Sequence, residues 1–180
     1  MSGGSPAGTL PAGPLPVGPG PLATYSVQAQ PAPGACHYTY VGLDPLPDPT
    51  CTPGAVDPEV TQADIATTIC RSGWSDTVRP PEDVTGPEKA ASGAAYDYRG
   101  PFSTAEYDHL VPLELGGDPN DPANLWLEPN DLPGATTFHN GKDGLEDVLN
   151  RLVCSGRLPL VTAQEAIASD WVTAEQRYGD

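Results

Sequence analysis

The sequence predicts an α+β fold in which a small ββα unit is flanked by α-helices and preceded by a leader rich in Pro and Gly. Three observations support this prediction. Two short runs typical of strands precede an amphipathic helix, a second helical pattern closes the chain, and Pro and Gly recur throughout the N-terminal part. The 180 residues are enough for one domain of ordinary size.

The N-terminal leader is predicted to span residues 1–34 and to be disordered or extended. It holds 8 of the 23 Pro and 7 of the 20 Gly, and no charged side chain precedes Asp44. Such a composition neither propagates a helix nor aligns a β-ladder. The leader also lacks the positive start and unbroken apolar core of a secretory signal, and no apolar run in the chain is long enough for a membrane span. We therefore expect no membrane partner.

The four cysteines predict two disulfides. Cys36, Cys51, Cys70 and Cys154 form an even set without C-x-x-C spacing, which disfavours a four-cysteine zinc site. Cys36 and Cys51 bracket a Pro-rich loop, so we expect them to pair and to tether a loop segment over residues 35–60. Cys70 and Cys154 either form the second disulfide or remain small buried thiols. Disulfides favour a secreted or periplasmic location, and the missing signal leaves the cytoplasm as the alternative.

Residues 61–180 carry the regular structure. A helix is expected to begin at Thr61 and to end before Gly73, residues 71–100 read mostly as loop, and strands are expected over residues 107–113 and 124–127. Leu145 to Val153 form an apolar stripe that predicts a helix ending at Gly156, and a last helix is expected from Thr162. Trp74, Trp126 and Trp171 are expected in the core.

The charge excludes one class of function. Eight basic against 24 acidic side chains give a net charge of −16 and a pI of about 4.2. A protein that coats nucleic acid or an anionic membrane needs Lys and Arg to neutralise phosphates, so this balance argues against such a role. An enzyme that touches phosphate at one small site is not excluded.

The pair Asp108 and His109 is the strongest candidate for chemistry. A carboxylate and an imidazole at a strand end can divide the work, the carboxylate holding a hard cation and the imidazole taking a proton from water. Three short runs lie in order before a helix: DHLVPLELGG (108–117), NLW (124–126) and HNGK (139–142). Together they resemble the HNH family of nucleases, whose core is a ββα-metal motif. The resemblance covers residues 107–154 most closely and, more loosely, residues 51–178.

The resemblance implies a role for each matched residue. His109 would be the general base, Asn124 would fix the loop and orient the His109 ring, and Asp108 with His139 would hold one divalent metal ion. Mg²⁺ is the expected ion, with Mn²⁺ or Zn²⁺ as alternatives. The stretch between Asn124 and His139 is longer than in compact members, so Asn130 or Asn140 is an alternative second ligand.

Lys142 and Arg151 are the expected contacts to substrate phosphate. The function implied is a metal-dependent endonuclease that hydrolyses phosphodiester bonds, with DNA as the expected substrate and RNA as an alternative, leaving a 5′ phosphate and a 3′ hydroxyl. The competing hypothesis is a catalytically inactive HNH-like module that binds a protein or nucleic-acid partner.

Overall fold

A computed structural model describes residues 14–179 of the chain. These residues form helices and two small antiparallel sheets, which confirms the α+β class. The strands are β1 (Thr39–Val41), β2 (Asp44–Leu46), β3 (Glu106–His109) and β4 (Leu125–Glu128), and the helices are α1 (Trp74–Val78), α2 (Glu82–Ala95), α3 (Lys142–Cys154) and α4 (Leu160–Tyr178). Within this part of the chain, no helix is both long and apolar enough to cross a membrane.

The strand, strand, helix order predicted around the Asp-His pair is present as β3, β4 and α3. β3 pairs with β4 in antiparallel register, with Asp108 opposite Trp126 and Glu106 opposite Glu128. β3 is shorter than the predicted strand over residues 107–113, because Pro112 cannot donate to a ladder and is followed by a 3-10 turn over Leu113–Leu115. β4 begins at Leu125, directly after Asn124, and its side chains are buried.

The prediction of a loop over residues 71–100 is wrong. α1 and α2 occupy most of this stretch, and Pro81 lies just before the first residue of α2, where a missing N–H costs nothing. Pro87 lies inside α2, which is nevertheless held by its buried face. Gly93 is a packing requirement rather than a helix breaker, because a Cβ there would lie 2.5 Å from the Phe102 ring.

The prediction of a helix from Thr61 to before Gly73 is also wrong, because this stretch forms a run of turns. The Thr67 and Thr68 hydroxyls both bond to the Asp64 carbonyl, and Cys70 N bonds to the Ile65 carbonyl five residues back. Side-chain bonds of this kind compete with the helical pattern.

Both predicted disulfides are confirmed. Cys36 bonds to Cys51, and Cys70 bonds to Cys154, with sequence separations of 15 and 84 residues. The second disulfide joins the turns before α1 to the last residue of α3, so it ties a segment without regular structure to the ββα unit.

The C-terminal helices pack together and close the core. Trp126 and Trp171 are fully buried and Trp74 is 6% exposed, which confirms all three as core residues. α4 begins at Leu160 rather than Thr162, and the Gln62 side chain accepts a hydrogen bond from Leu160 N at 2.7 Å. Asp170 interrupts α4 with non-helical dihedrals and accepts a hydrogen bond from Thr173 N, so it caps the second half of the helix.

Residues 14–34 of the leader are extended and ordered, so the predicted disorder does not apply to them, while residues 1–13 lie outside the described part of the chain. Val17 forms a parallel bridge with Val56, and Gly18 N donates to the Val56 carbonyl. Gly20 N donates to Asp118 Oδ2 at 2.7 Å, and the Ser26 carbonyl accepts from Asn120. The segment is extended, as its Pro and Gly content requires, and the body of the protein supplies its hydrogen-bond partners.

Candidate active site

His109 ends β3 with a ring that is half-buried and held at one nitrogen. Nε2 lies 2.8 Å from the Pro119 carbonyl. A carbonyl only accepts, so Nε2 carries the proton and Nδ1 holds a lone pair. Among residues 14–179, no group forms a hydrogen bond with Nδ1. Burial lowers the pKa of His109 to about 4. The Pro119 carbonyl and Asp108 raise this pKa, but burial outweighs them. The imidazole is therefore neutral at pH 7.

Asn124 holds together the loop that supplies this carbonyl. Its Oδ1 accepts from Ala55 N and Val111 N, and its Nδ2 donates to the carbonyls of Val111 and Asp118. The side chain is fully buried with its amide group in four hydrogen bonds. It does not touch the His109 ring, and it acts on that ring only by holding Asp118, the residue before Pro119.

The Gly-Gly pair of the same loop is required by its geometry. Gly116 has a φ of 73°, in the left-handed region that favours glycine. A Cβ on Gly117 would lie 1.7 Å from the Val111 carbonyl oxygen, so no other residue fits there without moving the backbone. The loop after β3 can therefore fold back on Asn124 only with glycine at both positions.

Three carboxylates meet beside His109. Oxygen atoms of Glu106, Asp108 and Glu128 lie within 4.8 Å of one another. Glu106 and Asp108 are two residues apart on β3 and so share one face, and the register of β4 brings Glu128 opposite Glu106. Glu128 is fully buried, and both of its carboxylate oxygens lack a hydrogen-bond partner within the described residues.

A buried lysine lies against this group. Lys142 is the first residue of α3, and its side chain is fully buried. Nζ donates to Asp108 Oδ2 at 2.8 Å, to Glu146 Oε1 at 2.6 Å and to the His109 carbonyl at 2.9 Å. Asp108 Oδ2 also accepts from Trp126 Nε1 at 3.2 Å. Burial alone would lower the pKa of Lys142, but the neighbouring carboxylates outweigh burial and raise it.

The three glutamates of the site have raised pKa values. Burial, with the charges of Asp108 and Asp143, raises the pKa of Glu106 to about 7. Burial raises the pKa of Glu146 to about 8, although Lys142 offsets part of the effect. The pKa of Glu128 lies well above its ordinary value, first through burial and then through Asp108. One ammonium thus faces more carboxyl groups than it can neutralise.

The structure does not bring His139 to this group. His139 is exposed in the loop between β4 and α3, and within residues 14–179 the one hydrogen bond of its ring is to the Thr137 hydroxyl, at 3.4 Å. Asn130 bonds within the same loop. Asn140 is the one of the three proposed second ligands that reaches the carboxylates, since its Nδ2 lies 3.3 Å from Glu106 Oε2.

The two predicted phosphate contacts lie in different places. Lys142 is buried and bound to Asp108 and Glu146, so its ammonium does not face solvent, and the prediction that it contacts substrate phosphate is wrong. Arg151 is exposed and lines a separate cavity beside the disulfide of Cys70 and Cys154.

His109 lines a cavity of about 250 Å³ together with Glu106, Asp108 and Glu146. Three site carboxylates were not predicted: Glu106, Glu128 and Glu146. Two of them leave a trace in the sequence. Glu106 precedes Asp108 by the two-residue period of a strand, and Glu146 follows Lys142 by the four-residue spacing of a helix.

Comparison with family models, with curated proteins and with solved structures finds no match to this chain.

Proposed function

We propose that this protein is a metal-dependent endonuclease that hydrolyses phosphodiester bonds of nucleic acid, DNA in the first instance. The observation that carries the proposal is the state of His109. Its ring is neutral, it is fixed through Nε2, and its Nδ1 lone pair is free beside a carboxylate group in a cavity. A general base for water needs this combination of orientation and a free lone pair.

The carboxylates fit a divalent metal ion. Buried carboxylate oxygens without a hydrogen-bond partner are unfavourable unless a cation or a proton satisfies them, and Glu128 has two such oxygens. Mg²⁺ and Mn²⁺ prefer oxygen ligands, which the group of Glu106, Asp108 and Glu128 supplies. We propose this group as the metal ligands in place of the pair Asp108 and His139.

Each residue then has a defined task. His109 Nδ1 accepts a proton from the water whose oxygen forms the new bond to phosphorus, while the bond to the leaving oxygen breaks. Asn124 and the Pro119 carbonyl keep the ring in position. Lys142 compensates part of the negative charge at Asp108 and Glu146 and holds α3 against β3. A bound divalent ion stabilises negative charge on the phosphoryl and leaving oxygens.

The proposal is tested by the nicking of supercoiled plasmid in EDTA, Mg²⁺ or Mn²⁺. We expect nicking with a divalent ion and none in EDTA. His109→Ala is expected to lower the rate about 10²- to 10⁴-fold, the usual contribution of a general base. His37→Ala is the matched control, because His37 is exposed and contacts only Asp48. Absence of nicking in every metal, or equal nicking by His109→Ala, contradicts the proposal.

A second pair of variants separates the two ligand assignments. If Glu128 binds the ion, Glu128→Gln raises the Mg²⁺ concentration needed for half-maximal nicking, and His139→Ala leaves it unchanged. If His139 is the ligand, the effects are reversed. Titration of the protein with Mn²⁺, followed by electron paramagnetic resonance, measures the binding directly and does not depend on turnover.

One contact favours the inactive binding module as the second candidate. The Lys142 ammonium is bound to Asp108, where the family resemblance implies a metal ion. If this ion pair persists in the presence of Mg²⁺ and Mn²⁺, the protein binds neither ion at the carboxylate group and does not cut plasmid. The Mn²⁺ titration therefore separates the two candidates before any activity is measured.

A further inference from the structure

A second cavity adjoins the one that contains His109. It measures about 630 Å³ and runs along the disulfide of Cys70 and Cys154. Ser75 and Glu114 line both cavities, so the two lie side by side. Together they form a groove, which we call the α1 groove because Trp74, Ser75 and Asp76 of α1 lie along it.

Three exposed arginines line the α1 groove. Arg79 lies in the part that contains His109, and Arg71 and Arg151 lie in the part beside the disulfide. None of them forms a salt bridge with another group in residues 14–179. They are three of only eight basic side chains in the chain. Three of the six arginines of the chain therefore lie along one groove, and such a concentration of guanidinium groups suits an anionic ligand.

The local charge differs from that of the whole protein. In the part of the groove beside the disulfide, Arg71 and Arg151 balance Asp76 and Glu114, whereas the whole chain carries −16. The part that contains His109 is acidic, with Arg79 against five carboxyl groups, and it is the part to which we assign the divalent ion. Arginine is well suited to phosphate because its planar guanidinium donates two parallel hydrogen bonds.

The charge of the body limits the kind of nucleic acid. A duplex carries one phosphate charge for about every 1.7 Å of its axis, roughly twice the density of one strand. A body of charge −16 therefore repels a duplex more strongly than a single strand, and a groove with three arginines compensates only a few phosphates.

We propose that the α1 groove binds one single strand of nucleic acid, with successive phosphates at Arg79, Arg71 and Arg151. The strand leads away from the phosphodiester bond at His109. This inference rests on the proposed nuclease function for the meaning of the His109 end, while binding along the arginines is a separate property with its own measurement.

The test measures the binding of fluorescent oligothymidylate to full-length His109→Ala protein in Mg²⁺ over a series of KCl concentrations. Arg71→Gln and Arg151→Gln are each expected to weaken binding and to reduce the slope of log K against log[KCl] by about 0.7, the value for one phosphate contact of a single strand. Arg177→Gln is the matched control, because it removes the same charge from an exposed site at the end of α4. A DNA hairpin of equal nucleotide number supplies the duplex comparison.

Reduced slopes for Arg71→Gln and Arg151→Gln, an unchanged slope for Arg177→Gln and weaker binding of the hairpin support the proposal. Equal slopes in all variants overturn it, as does tighter binding of the hairpin. The outcomes are independent of the nuclease reading. If plasmid is nicked and the slopes are unchanged, the nuclease proposal stands and the groove proposal is rejected. If the arginine variants change the slopes but plasmid is not nicked in any metal, the groove proposal stands and the nuclease proposal is rejected.

Discussion

Replacing Lys142 by methionine tests whether one buried ammonium holds the carboxylates of the site together. The side chain is fully buried, and Nζ makes contacts of 2.8 Å to Asp108 and 2.6 Å to Glu146. Methionine is unbranched and fills similar space, so the variant removes the charge and the hydrogen bonds while leaving little cavity. The His109 carbonyl loses a donor as well.

The expected loss of stability is about 3–5 kcal/mol, the usual effect of leaving one partner of a buried ion pair without the other. For a chain of this size, each kcal/mol corresponds to about 2–4 °C, so the midpoint of thermal unfolding should fall by about 6–20 °C. Removing Lys142 also takes away the effect that lowers the pKa of Glu146, so we expect that carboxyl group to hold its proton more strongly and the remaining penalty to fall on Asp108.

Urea unfolding at pH 7, followed by circular dichroism, measures the change. Lys89→Met is the matched control, since Lys89 is the only other lysine and donates to the carbonyls of Phe102 and Ala105 without an acidic partner. The double variant Asp108→Asn with Lys142→Met should be more stable than Lys142→Met alone. A loss of less than about 1 kcal/mol for Lys142→Met, or a double variant that is no more stable, would refute the reasoning.

Three further predictions concern stability. Replacing Cys70 and Cys154 by alanine removes a crosslink across 84 residues, and the chain-entropy relation gives a loss of stability of about 4.5 kcal/mol. The same relation gives about 3 kcal/mol for replacing Cys36 and Cys51, which are 15 residues apart. Urea unfolding should therefore show the larger loss of stability for the Cys70 and Cys154 variant. Asn124→Ala leaves several buried backbone groups without partners and should cost at least about 3 kcal/mol, so a thermal midpoint within a few degrees of wild type would contradict it. Burial raises the pKa of Asp57 to about 6, so its folded form binds a proton that the unfolded form has lost, and stability falls as pH rises from about 4 to 6. Asp57→Asn should remove this decline and gain at most about 3 kcal/mol on wild type at pH 7, whereas parallel pH profiles for the two proteins would show that Asp57 does not contribute.

The sequence predicted the parts of the fold whose signals are local. The apolar stripe from Leu145 to Val153 lies on one face of α3, as expected, because helical periodicity is a property of neighbouring residues. α2 escaped prediction because Pro81 and Gly93 resemble breakers. Pro81 in fact precedes the first residue of α2, and Gly93 packs against the Phe102 ring. The first role depends on where the helix begins, and the second depends on a residue outside the helix.

In the candidate site too, the sequence predicted the residues whose signals are local and missed the others. Asp108, His109 and Asn124 lie on one short β-pair and its loop, so their spacing was enough to predict that they would be neighbours. Glu128 joins them through strand register, which a single sequence does not specify before the pairing is known. His139 lies in the loop over residues 129–141 between β4 and α3, whose path depends on contacts such as that of Asp131 with Gly141.

The extended segment over residues 14–34 has a consequence for the design of a shorter fragment in which to test the proposed activity. Gly20 N holds the Asp118 carboxylate, Asp118 adjoins Pro119, and the Pro119 carbonyl holds the His109 ring. A fragment that starts after residue 34 would lose the first link of this series. The ring of His109, the proposed general base, would then have a loosened support, and low activity of such a fragment would result from the chosen boundary.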